Sequence, residues 1–290
     1  MPSRSPTHAP AHLRARTHDA ATVRPPHRMG QAALERVDVL GVPVVRAPAE
    51  PVLGVIDGSF EAPGHTTVFF ANAHTFNVAA DEPSLRAALR RASLVLNDGI
   101  GVSIAGRLRG TPFPENLNGS DLTPRILTLA ARRGSSVFLL GGRPGVADQA
   151  GRRLPDQIPG LEIAGCREGY FDDSESAAIA AQIRASGAAL LVVALGNPRQ
   201  ELWLERHLAH TGAPVGIAVG AFLDFASGRV TRAPAWMNRF GLEWLFRMAM
   251  EPKRMWRRYV VGNPRFLLRA ALDASASRLQ SWLRATAFGN

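Results

Sequence analysis

The sequence predicts an α/β fold of Rossmann-like type, a mostly parallel sheet with helices on both faces, followed by a C-terminal helical, basic appendage. Three observations predict it. From residue 66 onward, apolar runs of strand length alternate with amphipathic stretches of helix length, the pattern of a parallel sheet covered on both sides. Five of the six runs end in polar or glycine-rich turns, at the carboxyl edge where such sheets bind ligands. After Gly228 the alternation stops, and cationic and aromatic residues take over. With 290 residues, 46% hydrophobic and 20% charged, the chain can bury a core of that size.

Taken in order, residues 1–30 mix Pro, His, Arg, Ala and Thr without apolar periodicity and read as a disordered basic tail. The core spans 31–228. It opens with a short apolar stretch, Val37–Val45, that can form an edge hairpin. Thr67–Ala71, Leu94–Leu96, Val137–Leu140, Leu161–Ala164, Leu190–Leu195 and Val215–Val219 read as strands. Residues 83–91, 121–133, 145–154, 175–186 and 199–210 read as helices. In the appendage, 229–290, Trp236, Phe240, Trp244 and Met248 recur every four residues as a stripe on one helix face. Pro252 interrupts that helix before a second basic segment, Lys253–Tyr259.

The formal net charge of +10 is unevenly placed. Residues 1–30 carry five Arg against Asp19, a balance of +4, and 229–290 carry eleven Arg and one Lys against three acids, +9; the stretch between is −3. This calls for an anionic partner of the tail: nucleic acid, an acidic membrane surface or the phosphates of a ligand. Cys166 is the only cysteine, which excludes a disulfide framework and any multi-cysteine metal site. No apolar run approaches the roughly 20 residues that span a bilayer, and the start lacks a signal-peptide apolar segment, so a cytoplasmic location is expected.

Each motif has a chemical reading and a plainer one. Asp98, between a buried strand and a glycine turn, can serve as a general base or cap the following helix. Gly141-Gly142-Arg143-Pro144-Gly145 can bring backbone N–H groups to a phosphate or simply make a tight turn. It lacks the G-x-G-x-x-G register, which weakens a dinucleotide reading. Gly196-Asn197-Pro198-Arg199-Gln200-Glu201 opens a helix with Pro placed early. Gln200 and Glu201 can bind a ribose, base or sugar hydroxyl, and Glu201 can equally complement the helix dipole. His207 and His210, three apart, lack an acidic partner in a zinc pattern and read as a solvated face. There is no P-loop, no G-x-S-x-G and no D-x-D to hold a metal-bound diphosphate, so any diphosphate must be neutralised by arginine. Arg247, Arg254 and Arg257, spaced by seven and three, can align on one side of a helix and grip phosphate oxygens. The same residues can equally form a solvated or membrane-skimming face.

Taken in order, Leu96-Asn-Asp-Gly-Ile-Gly101, Asn118-Gly-Ser-Asp-Leu122, Val137–Pro144, Gly169-Tyr-Phe171, Ala194–Glu201, Val219-Gly220, Arg232-Ala-Pro-Ala-Trp236, Gly241–Arg247 and Glu251-Pro252 make a series. It resembles the WecG/TagA/CpsF glycosyltransferases (glycosyltransferase family 26) over about residues 66–260. The resemblance implies an inverting, metal-independent transfer with no cofactor. The donor is a UDP-sugar and the acceptor a sugar on polyprenyl diphosphate, in polysaccharide biosynthesis. The sugar is N-acetylmannosamine, its uronic acid or glucose. Asp98 matches the family's proposed catalytic base, and Asn72 and Gln200 match an active-site asparagine and glutamine. Arg247, Arg254 and Arg257 match arginines that close over the site and engage diphosphate. Asp121, Gly141, Gly142, Asn197, Glu201 and Arg232 stand in the same motifs and are expected to bind substrate. The expected surroundings are the inner face of the cell membrane, with an anionic membrane surface and no nucleic acid as partner; a homo-oligomer is left open. Two positions depart from the pattern: Phe70 stands where many members have Thr, and Glu115-Asn-Leu-Asn118 where many have Arg. Two other classes compete, a Rossmann-type nucleotide-dependent oxidoreductase and a non-catalytic nucleic-acid module using the basic tail.

Overall fold

The computed structural model describes residues 34–231, 237, 243–250 and 252–287. The disordered reading of residues 1–30 lies outside them. The chain opens with β1 (Arg36–Val39) and β2 (Val42–Val45), an antiparallel hairpin whose turn residues Leu40 and Gly41 both take positive φ. That geometry matches the twist of paired strands. This is the edge hairpin expected at Val37–Val45, and it forms its own two-stranded sheet beside the main one. Helix α1 (Ala49–Ser59) leads into the main body.

Six parallel strands follow: β3 (Thr66–Ala71), β4 (Leu94–Asn97), β5 (Val137–Gly141), β6 (Ile163–Arg167), β7 (Leu190–Ala194) and β8 (Val215–Ala218). Their order across the sheet is β4-β3-β8-β7-β5-β6, as the α/β reading requires. Helices α2 (Ala73–Asp81), α3 (Pro83–Arg91), α4 (Ile100–Leu108), α5 (Gly119–Arg132), α6 (Val146–Gln157), α7 (Ser176–Ser186), α8 (Arg199–Thr211) and α9 (Phe222–Ala226) fill the connections. Side chains alternate along each strand between two cores. In β3, Val68 and Phe70 join the cluster under α1, α5, α6 and α9. Phe69 and Ala71 join the cluster under α2, α3, α4, α7 and α8. Burial on both faces explains the near-continuous apolar runs.

One strand differs from expectation. The fourth lies at Ile163–Arg167, not Leu161–Ala164. As an edge strand it pairs only with β5 and is half-exposed, so no apolar run marks it, while Leu161 is buried in the turn before it. Four helices of the core were not expected: α1, α2, α4 and α9. Helix α4 carries Gly101 and Gly106, poor helix formers, because its neighbours come close: a Cβ on Gly106 would stand 2.8 Å from the Phe113 ring.

Among the described residues of the appendage, α10 (Glu243–Met250) carries Trp244 and Met248, half-buried, with the Trp244 ring edge-on to Tyr259 at 6.1 Å. Trp236 and Phe240 lie outside the described residues. Helix α11 (Pro252–Trp256) begins at Pro252, a π turn covers Arg257–Val261, and α12 (Gly262–Ala287) runs back across α2 and α4. Its inner face buries Phe266, Ala270 and Ala274, with Phe266 against Phe76 at 5.5 Å between ring centres. Arg109 binds Asp273 and donates to Ser277 Oγ at 3.0 Å, and Asn77 Nδ2 donates to the Gly262 carbonyl at 2.7 Å. The appendage is thereby tied to the elements that open the site.

Candidate active site

A cleft of about 640 Å³ runs along the carboxyl edge of the sheet and crosses the point where the strand order reverses, between β7 and β5. Residues that follow all six strands line it, and the appendage closes it with Met255 and Arg258.

Its chemistry starts at Asn72, the single residue between β3 and α2. Asn72 is extended and caps α2: its Oδ1 accepts from the backbone N–H of His74 at 3.1 Å and of Thr75 at 3.2 Å. This leaves the amide nitrogen, which donates to Asp98 Oδ2 at 3.1 Å. Asp98 follows β4, and its backbone N–H bonds the Ala71 carbonyl at 3.0 Å, so two adjacent strand ends lock the pair together. The plainer reading of Asp98 does not match the geometry, because α4 has Gly99 as its N-cap and no side-chain cap. The segment Glu115–Asn118 buttresses the same turn. Asn116 Oδ1 accepts from Gly99 N at 2.8 Å, and the Glu115 carbonyl accepts from the buried Asn97 at 2.9 Å. Phe70 forms part of the cleft floor and packs on Gly119, where a Cβ would stand 3.1 Å from the ring.

The Gly141–Gly142 turn has a structural explanation. Gly141 has φ of 136°, and a Cβ there would meet the Ala194 carbonyl oxygen at 2.4 Å. The Gly142 N–H donates to that same carbonyl at 3.0 Å, so it serves the β5–β7 junction and is not turned to a ligand. Gly142 still lines the cleft, as does the exposed Arg143. Asp121 is placed apart from the lining, closing the first turn of α5: Asn118 Oδ1 accepts from Asp121 N at 2.9 Å, and Asn118 Nδ2 donates to Asp121 Oδ2 at 2.7 Å. Its neighbours Gly119 and Ser120 face the cleft.

At the end of β7, after a cis Asn197–Pro198 bond, α8 presents Gln200 and Glu201. Both are buried. Gln200 Nε2 donates to Glu201 Oε1 at 2.8 Å, and Gln200 Oε1 accepts from Gly220 N, beyond β8, at 3.2 Å. Glu201, 1% exposed, has its pKa pushed up to about 7 by burial, against the lowering effect of the Gln200 bond. Asn197 stands close enough to lower it somewhat, yet among the described residues neither polar atom of Asn197 meets hydrogen-bond geometry with a partner, and neither does Glu201 Oε2. Glu201 thus sits beneath Gln200 and steadies it from inside. Arg199 staples the far wall, donating to the Gly169 and Phe171 carbonyls at 2.8 and 2.6 Å with its guanidinium 4.3 Å from the Phe171 ring centre.

Of the appendage arginines, Arg257 is exposed and does not line the cleft. Arg232 and the side chains of Arg247 and Arg254 lie outside the described residues. Cleft residues to which sequence reasoning gave no role include His74 and Asp224, which stand at or just beyond strand ends, and Tyr170 and Arg258. Tyr170, 66% exposed on the rim, was signalled as an aromatic in the Gly169-Tyr-Phe171 motif. Among the described residues no group of three His, Cys, Asp or Glu is placed to share a metal ion, and no helix is long and apolar enough to cross a membrane.

Comparison with known proteins bears on this arrangement directly. A Bacillus spizizenii protein named N-acetylglucosaminyldiphosphoundecaprenol N-acetyl-beta-D-mannosaminyltransferase is 36% identical over 180 residues, 62% of this chain and 69% of its own. The model of the glycosyl transferase WecG/TagA/CpsF family matches residues 37–280. Because that match takes in the whole six-stranded sheet and every loop that builds the cleft, the chain belongs to the WecG/TagA/CpsF glycosyltransferase family.

Proposed function

We propose that the protein transfers a hexosyl group from a UDP-sugar to a sugar carried on polyprenyl diphosphate, with inversion and without a bound metal, as a step in polysaccharide biosynthesis. The Bacillus relative's name favours N-acetylmannosamine as the sugar moved, over its uronic acid or glucose. Asp98 is the catalytic base: its carboxylate takes the proton of the acceptor hydroxyl as that oxygen bonds to the anomeric carbon. The bond to the UDP oxygen breaks on the opposite face, which inverts the configuration. Charge builds on the departing diphosphate, and arginine meets it in place of a metal.

One observation carries this reading: the Asn72–Asp98 hydrogen bond fixes a carboxylate at the sheet's carboxyl edge inside a cleft able to hold a sugar nucleotide. A membrane-bound acceptor fits the outer face of α12, where Leu268, Leu272 and Leu279 are exposed and basic residues flank them; we read this face as resting on an anionic leaflet. The test is UDP release by purified protein across a panel of UDP-sugars, with a short-chain polyprenyl-diphosphate-sugar acceptor, with and without EDTA. Acceptor-dependent, EDTA-resistant release with one donor is expected, falling by about 10²–10⁴ in a folded Asp98→Asn variant. Near-normal turnover by that variant removes Asp98 from the chemistry.

A further inference from the structure

Two side-chain amides stand on either side of the seam between β3 and β8 at the carboxyl edge. Asn72 ties the end of β3 to Asp98 beyond β4, and Gln200, in the first turn of α8, ties the end of β7 to Gly220 beyond β8. Chemistry fixes the sign of the second tether. A backbone N–H can only donate, so the amide atom that faces Gly220 N at 3.2 Å is the Gln200 oxygen. The amide nitrogen is thereby turned the other way, and one of its two hydrogens goes to Glu201 Oε1 at 2.8 Å. Oε1 accepts whether or not Glu201 is protonated, because the proton can sit on Oε2, which has no partner among the described residues. Glu201 itself, 1% exposed, offers a substrate almost no surface. Gln200 lines the cleft with its oxygen held by Gly220 and one N–H left over.

We infer that Glu201 is a positioning residue, which holds the Gln200 amide so that its remaining N–H meets an acceptor oxygen of the sugar nucleotide. The inference rests on the glycosyltransferase reading above, and it says which sign of hydrogen bond this wall of the cleft supplies. Asp98 meets the acceptor hydroxyl beyond β4, and β3 and β8 lie between β4 and β7. Gln200 therefore faces the donor, on the side from which UDP leaves. A hydrogen-bond donor preset there meets growing charge on oxygen without having to reorganise. An amide free to turn over would present its own oxygen as readily, and two oxygens repel.

A positioning residue and a substrate ligand differ in how their losses combine, so the test is a double-mutant cycle read as kcat/KM for the UDP-sugar. Gln200→Ala is expected to lower that constant by about 10²-fold or more. Glu201→Met keeps the length of the side chain without an acceptor oxygen, and is expected to lower it tenfold or more. Glu201→Gln, whose amide oxygen accepts as the carboxyl did, should recover most of that loss. Added to Gln200→Ala, Glu201→Met should cost less than twofold further, because Glu201 acts only through Gln200. Losses that multiply in proteins with native circular dichroism would make Glu201 a substrate ligand in its own right and overturn the inference. A folded Glu201→Met enzyme within twofold of wild type overturns it too. Gln200→Glu tests the sign of the bond. It keeps an oxygen for the Gly220 N–H, while its second oxygen shares a proton with Glu201 and leaves no donor for the cleft. Its turnover should fall as far as that of Gln200→Ala; retained turnover counts against the inference, and this variant decides alone if Glu201→Met loses its native spectrum. Each of these failures leaves wild-type transfer, and with it the glycosyltransferase reading, standing. Wild-type protein inactive on every UDP-sugar removes both.

Discussion

The Asn72 side chain uses its Oδ1 to cap α2 and its Nδ2 to hold Asp98, so substitution can separate the two roles. Serine caps a helix about as well as asparagine but is too short to reach the carboxylate. Asn72→Ser is therefore expected to melt within about 1 kcal/mol of wild type while transfer falls tenfold or more. Asn72→Ala loses the cap as well, at about 1 kcal/mol. Thermal melts beside initial rates check this, and full activity in Asn72→Ser means that Asp98 needs no tether. The placement of Asp98 and Asn72 at strand ends was legible in sequence, but for Asp98 position left base and helix cap open, and the role of Asn72 came from the family resemblance. The Gly141–Gly142 turn was less legible. A glycine turn reads alike whether its N–H faces a ligand or the Ala194 carbonyl of a strand some fifty residues later. For Glu201 the sequence offered a dipole partner or a substrate ligand; that it lines the cleft while almost fully buried against Gln200 is something only packing reveals. Arg258 and His74 meet across 184 positions of chain, a proximity that no local pattern encodes.

At the scale of elements, period and length located the sheet, since runs buried on both faces stand out from their surroundings. Helices α2 and α4 were hidden for opposite reasons. One starts a single residue after β3, and the other carries glycines demanded by its neighbours. Helix α12 shows how one element can serve two environments. Phe266, Ala270 and Ala274 recur every four residues on the face that packs on α2 and α4. Leu268 and Leu272, two positions further on, point the opposite way, and Leu279 continues their line a heptad later. An apolar line that stays exposed while its helix is already docked fits an interfacial role better than a core role. The double variant Leu268→Glu/Leu272→Glu is expected to keep the fold and lose co-sedimentation with phosphatidylglycerol vesicles. It should retain turnover on a short-chain soluble acceptor. Undiminished sedimentation would place the membrane contact elsewhere.

For the whole molecule, two titratable groups of the cleft, the buried Glu201 and the half-buried His74, pull stability in opposite directions with pH. Glu201 has its pKa raised from 4.5 to about 7, chiefly by burial. Between those values the unfolded chain has released a proton that the native protein still holds, so stability falls as pH rises, by about 3 kcal/mol across the window. His74 has its pKa lowered from 6.5 to about 4, first by burial and then by Arg258. Between those values the unfolded chain binds a proton that the native protein refuses, so stability falls as pH drops. Over the shared range from 4.5 to 6.5 the two slopes oppose, and the wild-type dependence from this pair is shallow. Glu201→Gln keeps an acceptor for Gln200 Nε2 and removes only the titration. Its stability relative to wild type, from urea denaturation at pH 4.5, 5.5, 6.5 and 7.5, is therefore expected to improve steadily and by about 3 kcal/mol in all. Taking the difference between the two proteins cancels every other group that titrates alike in both. A difference independent of pH would mean that Glu201 is already ionised in the native protein at acid pH. The carboxylate would then have to find a compensating donor for Oε2, and Asn197, which lies close enough to lower the Glu201 pKa and whose amide has no partner among the described residues, could turn to supply it.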